Sequence, residues 1–405
     1  MLDIETVLKG KPWPVWPRTD INAVLHSFEE ILHSTTWTIR SPGADLSRTE
    51  IAEKAFASFA GSPYALMVSS GTTAVELAVR ALKPPPGAKV IVPALGWFAT
   101  AAAVKRAGAT PVFADVDPLT SCIDPVAVES LIGPDVIAVV AVHLHCALAN
   151  LSALVPLCER HGLTLIEDCA QAHGAAFDGR PVGTFGAMAC FSLNQEKMIA
   201  VGEGGCVITA DETYYRRLHA LRTDGYLREG GTGRSYAPQQ DVMGGNACMS
   251  EFAAALVPVQ LERFEEESRR RRKNALRLSE ELSKLDGVDP LQTSEGTTTR
   301  AFHEFAFSLS PSVFGPSPAA RMGPLLEKIL KFPIHETDEP TQDCPMMALS
   351  TIERAAPNAS KIFDQLLVFH HSILLDDRVV DCTLAALDRL PRENRVDSAS
   401  SAAQG

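Results

Sequence analysis

The sequence lacks the features that would place the protein in a membrane or in an oxidising compartment. No run in its 405 residues approaches eighteen apolar residues, so no segment is expected to span a bilayer. The opening stretch MLDIETVLKGK contains acids and has no apolar core, which is not typical of a secretory signal. The nine cysteines are scattered without a CxxC pair, so they indicate reduced thiols in a cytoplasm rather than disulfides or a metal site.

The sequence also has fewer positively charged than negatively charged residues. Lysine and arginine number 37 against 49 aspartates and glutamates, which gives a formal net charge of −12. This balance argues against non-specific nucleic-acid binding and, more weakly, against a strongly anionic substrate. The hydrophobic content of 46% and charged content of 21% are ordinary for a globular protein, and 405 residues suit a two-domain α/β enzyme better than one small core.

Apolar strand-like runs alternate with helical patterns through the first half of the chain. Strands are predicted at 90–92, 111–116 and 136–143, and helices at 101–107, 125–131 and 151–161. This alternation indicates a parallel sheet with helices on both faces. We expect an N-terminal arm and large domain over 1–260, a linker helix and small C-terminal domain over 261–392, and a disordered tail over 393–405. The tryptophans of the arm, in GKPWPVWP, are expected to pack on the body or on a partner chain.

Two carboxylates end an apolar strand in the segment TLIEDCAQAH, residues 164–173. Leu165 and Ile166 precede Glu167 and Asp168, and acids at the carboxyl end of a strand point to a site at the edge of an open α/β sheet. The alternative is that Asp168 is a helix-capping or turn residue.

A lysine stands between a short strand-like segment and a glycine-rich turn in FSLNQEKMIAVGEGG, residues 191–205. Partial burial among small residues would lower the pKa of Lys197 and free its amine, which makes it a candidate Schiff-base nucleophile. The alternative is a solvated loop lysine.

A third segment, ALMVSSGTTA at 65–74, is a strand that runs into small polar residues and then a helix predicted over 74–82. Backbone N–H groups at that helix start, with the hydroxyls of Thr72 and Thr73, suit a phosphate dianion, although the same residues would also serve as an ordinary N-cap. Pyridoxal phosphate (PLP) requires an amine for its aldehyde, an anion for its pyridine nitrogen and a phosphate cradle, and the three segments together offer all three.

The motifs SSGTTA, IEDCAQAHGA, FSLNQEK and GEGG, which follow one another along the chain in this order, resemble those of the DegT/DnrJ/EryC1/StrS aminotransferases. The resemblance extends from about residue 10 to about residue 390. It implies a fold-type I, aspartate aminotransferase-like transferase with PLP as cofactor. Such a fold has a mostly parallel central sheet in a large domain and a smaller C-terminal α/β domain. It further implies aminotransfer to ketosugars or cyclitols in two half-reactions.

The resemblance also assigns roles to residues. Lys197 holds the cofactor and acts as general acid–base, and Asp168 holds the proton of the pyridine nitrogen. The other residues implied to contact the cofactor are Gly71, Thr72 and Thr73 in the phosphate cradle, Trp97 over the ring, Gln171 at a ring substituent, and Ser192 at the phosphate.

Asn246, within Gly244-Gly245-Asn246, matches an asparagine that reaches the phosphate from the neighbouring subunit in this family, which implies a homodimer with shared active sites. Alternatively, Asn246 caps the helix that is predicted to begin near Met249. Trp97 is otherwise a buried loop aromatic, and His173 is interpreted as a structural histidine behind the acid rather than as a general base.

The segment NACMSEF places Ala247 and Cys248 where nucleotide-sugar members have an aromatic residue and an arginine. Together with GKPWPVWP and IEDCAQAHGA, it resembles the L-glutamine:scyllo-inosose and 2-deoxy-scyllo-inosose aminotransferases. An amino donor such as L-glutamine and an uncharged cyclitol ketone are therefore expected. The chain departs from that branch at His145, Cys146 and Asn150, and in HETDEPT at 335–341, so the acceptor could be a different cyclic ketone.

Three rival functions remain. A nucleotide-ketosugar aminotransferase and an aminohydroxybenzoate-synthase-like enzyme would use the same lysine. A catalytically silent partner subunit would be expected to lose Lys197, Asp168 or the SGT segment, and none is lost. The dehydratase branch that replaces the lysine with histidine is excluded by Lys197.

Overall fold

The computed structural model of the protein describes residues 12–34, 36–39, 47–229, 235–238, 241–341 and 356–391. The strands are β1 (Tyr64–Val68), β2 (Lys89–Pro93), β3 (Thr110–Ala114), β4 (Val136–Val142), β5 (Thr164–Asp168), β6 (Ala176–Phe177), β7 (Arg180–Pro181), β8 (Met188–Ser192), β9 (Gly205–Thr209), β10 (Tyr226–Glu229), β11 (Ser235–Pro238), β12 (Val288–Pro290), β13 (Thr297–Thr299), β14 (Glu304–Leu309), β15 (Ile334–Glu336) and β16 (Leu366–His370). The helices are α1 (Ile21–His33), α2 (Arg48–Ala60), α3 (Gly71–Ala81), α4 (Ala99–Arg106), α5 (Pro125–Glu129), α6 (Leu151–His161), α7 (Glu212–Arg222), α8 (Glu251–Leu282), α9 (Pro311–Phe314), α10 (Pro318–Leu330), α11 (Pro357–Gln365) and α12 (Val379–Leu387).

A seven-stranded sheet with the order β1-β9-β8-β5-β4-β2-β3 forms the core of the first half of the chain. The inner strands are runs of small and branched apolar residues, such as VIAVVAV in β4, and nearly every residue in them is buried. Such continuous apolar runs are typical of strands covered on both faces. The pairs among β8, β5, β4, β2 and β3 are parallel, whereas β9 runs antiparallel to both of its neighbours. The sheet is therefore mostly parallel, as predicted.

The second half of the chain forms a smaller antiparallel sheet with the order β12-β14-β16-β15. The long helix α8 leads from the large sheet to this one, and the predicted domain boundary at 260/261 falls inside that helix. The helix predicted over 74–82 begins earlier, since α3 begins at Gly71, where Ser70 caps it. The predicted tail at 393–405 lies outside the described residues.

The N-terminal arm packs on the body of its own chain. The indole N–H of Trp13 donates to the Leu330 carbonyl at 2.7 Å, and that of Trp16 donates to the Gln195 carbonyl at 2.8 Å. Trp16 also lies edge-on to His371, with ring centroids 4.5 Å apart. The arm therefore fastens the turn that carries Lys197 to the small sheet. Among the described residues, no helix combines the length and apolarity needed to cross a bilayer.

Candidate active site

The motif segments converge because the strands that precede them end at the same edge of the sheet. β2, β4, β5 and β8 are parallel, and β1 runs in their direction because β9 is antiparallel to both β1 and β8. Carboxyl ends of parallel strands are where open α/β sheets bind ligands. This edge carries the start of α3 after β1, Trp97 after β2, Asp168 at the end of β5, and Ser192 and Lys197 at and after the end of β8.

Asp168 is a buried carboxylate held by neutral hydrogen-bond donors. The Thr100 hydroxyl donates to its Oδ2 at 2.8 Å, and the Ala170 N–H donates to its Oδ1 at 3.1 Å. Burial raises the pKa of Asp168, because loss of water costs the charged form more than these hydrogen bonds and the nearby Lys197 return. A cationic partner at this carboxylate would therefore relieve a desolvation penalty.

Lys197 lies on the turn after β8, where its N–H donates to the Asn194 carbonyl at 2.9 Å. Its ammonium Nζ lies 3.2 Å from Nε2 of His303, a buried residue of the small-sheet half. Burial lowers the pKa of Lys197, although the carboxylates of Glu304 and Asp168 oppose the shift. A lowered pKa increases the share of free amine, which is the form that attacks an aldehyde.

The first turn of α3 lies against the end of β8. Ser70 is the N-cap, and its hydroxyl accepts from the Thr73 N–H at 3.1 Å, so the helix cap predicted as an alternative is present. Gly71 and Thr72 also line the cavity that contains Lys197, with Ser192 opposite. A helix start leaves its first N–H groups without intrahelical partners, so capping and anion binding are compatible here. The Thr73 hydroxyl instead contacts Ser70 Oγ, at 2.9 Å.

Gln171 and Trp97 complete the set of predicted residues around this cavity. Gln171 lines the cavity, and its Oε1 accepts from the backbone N–H of His145. Trp97 is 61% exposed and lies beside Phe98, with ring centroids 4.7 Å apart. Trp97 is therefore not the buried loop aromatic of the alternative interpretation, and it has a free face at the cavity.

Two polar residues of the segment 164–173, Glu167 and His173, have structural rather than catalytic roles. Glu167 is fully buried, and its oxygens accept backbone N–H bonds from Gly183, Phe185 and Gly186 at 2.7–2.8 Å. Burial by itself would raise the pKa of Glu167, but His143 and these backbone hydrogen bonds outweigh that effect and lower it. His173 is 1% exposed, and burial lowers its pKa to about 3, so it is neutral and shielded from the cavity.

The cavity has a volume of about 600 Å³, and it is also lined by residues to which the sequence analysis assigned no role. Asn194, Glu196 and Glu203 come from the turn around Lys197, and Glu304, His335 and Asp338 come from the small-sheet half. Glu304 and Asp338 are more than 130 residues from Asp168 in the sequence. The position of the small sheet relative to the large one places them here. No local pattern indicated Glu304, whereas Asp338 lies in the segment HETDEPT that the sequence analysis had singled out.

Asn246 does not line the cavity of its own chain, although the carbonyl of its neighbour Ala247 accepts from the N–H of Ser69 at 3.0 Å, beside the start of α3. Asn246 is exposed, pairs with Thr223 through a backbone bridge, and is not among the described residues that line the cavity. The N-cap of α8 is Ser250, whose hydroxyl accepts from the Ala253 N–H at 3.2 Å. The alternative prediction that Asn246 caps this helix is therefore wrong, because the helix starts one turn later than that role requires.

Known proteins resemble the chain along almost its whole length. The profile of the DegT/DnrJ/EryC1/StrS aminotransferase family matches residues 21–388. An L-glutamine:2-deoxy-scyllo-inosose aminotransferase of Streptomyces kanamyceticus is 36% identical over 403 residues, covering 93% of this chain and 92% of that protein. An L-glutamine:scyllo-inosose aminotransferase of Streptomyces griseus is 37% identical over 410 residues, covering 96% and 95%.

Solved structures also match the chain along almost its whole length. The crystal structure of 3-amino-5-hydroxybenzoic acid synthase matches with a TM-score of 0.83 at 26% identity, covering 93% of this chain and 99% of that chain. The aminotransferase from Psychrobacter cryohalolentis gives the same TM-score and identity, with coverage of 93% and 98%. The predicted fold-type I class is confirmed. The chain therefore belongs to the DegT/DnrJ/EryC1/StrS family of PLP-dependent aminotransferases.

Proposed function

We propose that the chain transfers the amino group of L-glutamine to a keto-cyclitol, with PLP as its cofactor, in the biosynthesis of an aminocyclitol natural product. The observation that carries this proposal is the single cavity that contains Lys197, Asp168 and a wall of carboxylates. The identities of 36% and 37% to two glutamine-dependent cyclitol aminotransferases, over nearly the whole chain, support the choice of substrates.

The residues fit PLP in three respects. Asp168 is a buried carboxylate whose near partners are a hydroxyl and an N–H, so it suits a protonated pyridine nitrogen. Lys197 supplies an amine whose pKa is lowered. Gly71 leaves space at the start of α3, since a Cβ there would lie 2.7 Å from the Ser192 Cβ, and this close approach forms a cradle lined by backbone and hydroxyl groups.

When bound, PLP supplies an electron sink that stores the amino group between the two substrates. In this proposal the Lys197 amine would hold the cofactor and would also carry a proton to and from the reacting carbon. Asp168 keeps the pyridine nitrogen protonated, which is required for the sink. Ser192, Gly71 and Thr72 hold the phosphate, while Gln171 orients the ring.

Aminotransfer would then follow a ping-pong order, because the cofactor would hold the amino group after the first product leaves and before the acceptor binds. Trp97 would cover one face of the ring and exclude water from the site, and Thr73 would contribute to the phosphate cradle through the helix start that its N–H helps to cap. Neither role requires a further group from outside the cavity.

The charges of the cavity favour an uncharged acceptor over a nucleotide-linked sugar. Lys197 is the one ammonium or guanidinium group among the described residues that line it, against the carboxylates of Asp168, Glu196, Glu203, Glu304 and Asp338. A diphosphate would meet repulsion from this wall, whereas a polyol ketone would find hydrogen-bond acceptors.

We further propose a homodimer in which Asn246 of each chain reaches the cofactor phosphate of the other. Asn246 is exposed and is not among the described residues that line the cavity of its own chain, which supports a role toward a second copy. A cytoplasmic site of action is part of the proposal. It is supported by the eight cysteines of the described residues, none of which forms a disulfide bond.

The test is to incubate the purified chain with L-glutamine carrying ¹⁵N at its α-amino group and with a panel of ketones. The panel contains scyllo-inosose, 2-deoxy-scyllo-inosose and nucleotide ketosugars, and products are read by mass spectrometry. We expect ¹⁵N in a cyclitol amine. We also expect glutamine alone to release one oxo-acid per site, as a ping-pong order requires.

Lys197→Ala is the matched control and should abolish both the product and the stoichiometric release. Transfer of label to nucleotide sugars alone would favour the nucleotide-ketosugar alternative and contradict the cyclitol proposal. Borohydride reduction followed by peptide mapping should leave the cofactor on Lys197, and a label on another lysine would contradict its assignment.

A further inference from the structure

Three residues from distant parts of the chain form a buried hydrogen-bonded row beside the cavity. Nδ1 of His145 lies 2.6 Å from Oε2 of Glu304, and its Nε2 lies 2.7 Å from the hydroxyl oxygen of Thr337. His145 is 2% exposed and Thr337 is 3% exposed, and the backbone N–H of His145 donates to Gln171.

The row fixes one carboxylate and leaves part of it accessible. An ionised carboxylate can only accept hydrogen bonds, so the Nδ1–H of His145 donates to Glu304. The other ring nitrogen, Nε2, is hydrogen-bonded to the Thr337 hydroxyl, so both ring nitrogens have a partner. The Glu304 side chain keeps 17% exposure and lines the cavity with Lys197. Its second oxygen, Oε1, has no hydrogen-bond partner among the described residues.

The surroundings of Glu304 keep it ionised. The hydrogen bond and charge of His145 hold the pKa of Glu304 far below its usual range, although burial acts in the opposite direction. Charged and titratable groups face it from several segments: His145 after β4, Lys197 after β8, His303 before β14, Asp338 after β15 and His370 at the end of β16.

We propose that Glu304, oriented by His145 and Thr337, is the residue that binds the hydroxyl groups of the polyol acceptor and thereby selects it. This inference rests on the proposed function. Its basis is a fixed carboxylate oxygen with free lone pairs, in the same cavity as the lysine. Hydrogen bonds to a charged acceptor are stronger than those between neutral groups, and a preoriented carboxylate loses little entropy on binding.

The proposal predicts that removal of the negative charge of Glu304 affects the binding of the two substrates differently. A polyol ketone donates hydroxyl hydrogens to Glu304, so removal of the negative charge weakens its binding. The donor amino acid carries a carboxylate of its own, so removal of the same charge does not weaken its binding and relieves repulsion. A residue with only a structural role would alter both half-reactions in the same direction.

The first experiment compares Glu304→Gln with wild type in the two separate half-reactions, followed by cofactor absorbance. We expect the KM for scyllo-inosose to rise about tenfold to a hundredfold, the size for one hydrogen bond to a charged group. We expect the KM for glutamine to stay the same or fall. Binding of myo-inositol, measured by calorimetry, gives a readout without turnover and should weaken by a similar factor.

Glu336→Gln is the matched control. It removes one carboxylate from β15, next to His335 and Thr337, but Glu336 is not among the described residues lining the cavity with Lys197. We expect it to leave acceptor KM and myo-inositol affinity unchanged. An equal effect of both variants would mean that Glu304 acts only through the overall charge of this region, and it would overturn the proposal.

The second experiment tests the orientation by His145. His145 has a φ of +57°, which asparagine tolerates better than most residues, so His145→Asn keeps the backbone while removing the bond to Glu304. The pKa of Glu304 then rises, and acceptor binding should fall as the pH drops toward about 5, near the ordinary range of glutamate. Wild-type binding should stay flat over that interval, because its Glu304 remains ionised.

The outcomes separate this inference from the proposed function. If wild type aminates no cyclitol ketone, the proposed function fails and this inference with it. If wild type aminates scyllo-inosose but Glu304→Gln leaves its KM and myo-inositol affinity unchanged, only the assignment of Glu304 is overturned. A pH profile for His145→Asn that matches wild type would overturn the positioning role of His145.

Discussion

Gly71→Ala is expected to weaken PLP binding about fivefold to a hundredfold, because overpacking costs about 1–3 kcal/mol. A Cβ atom at position 71 would lie 2.7 Å from the Ser192 Cβ and 3.1 Å from its Cα. Carbon atoms pack at about 3.5–4.0 Å, so the helix start and β8 would have to separate by roughly 1 Å. β8 is paired on both sides, so the displacement should fall on the first turn of α3, where the phosphate cradle lies.

Titration of the apoenzyme with PLP, followed by absorbance, measures the affinity, and thermal unfolding of the apoenzyme measures the strain separately. Gly133→Ala is the control, since its Cβ would meet only a carboxylate oxygen of Asp135, at 3.2 Å, which is the end of a mobile side chain. If Gly71→Ala binds PLP as wild type does and unfolds at the same temperature, the close approach of α3 to Ser192 is not what forms the cradle.

Three further substitutions test the site. Asp168→Asn keeps the shape but removes the charge, so turnover should fall at least about a hundredfold while cofactor binding weakens modestly; near-normal turnover would give the role to another acid. Burial lowers the pKa of Lys197, so the charged amine costs stability below that pKa. Lys197→Met should therefore stabilise the apoenzyme at pH 7, with a gain that shrinks as the pH approaches 10, and a pH-independent effect would contradict this account. Asn246→Ala should weaken cofactor affinity about ten- to a hundredfold. Mixing it with Lys197→Ala chains should restore activity in heterodimers, and no recovery after verified subunit exchange would contradict a shared site.

Local patterns in the sequence determined most of the large sheet and the placement of its catalytic candidates. A strand that ends in Asp168, a lysine five residues after Ser192 and a helix start after β1 are each contained in a short segment. Their apolar periodicity and small residues specify the backbone locally. Because parallel strands end at one edge, the sequence alone was enough to predict that these segments meet. It also predicted the family, which the match over residues 21–388 confirmed.

Only the tertiary structure decided which residues meet in and beside the cavity on the side of the small sheet. His145, Glu304 and Thr337 belong to segments up to 192 residues apart, and their contacts depend on how the small sheet packs against the large one. The N-cap of α8 is a second feature that the local sequence was not sufficient to predict. Both Asn246 and Ser250 are residues that favour the N-cap, and the bridge between Asn246 and Thr223 leaves Ser250 to begin the helix. Contacts between distant segments are chosen by the packing of whole surfaces, which a local pattern does not contain.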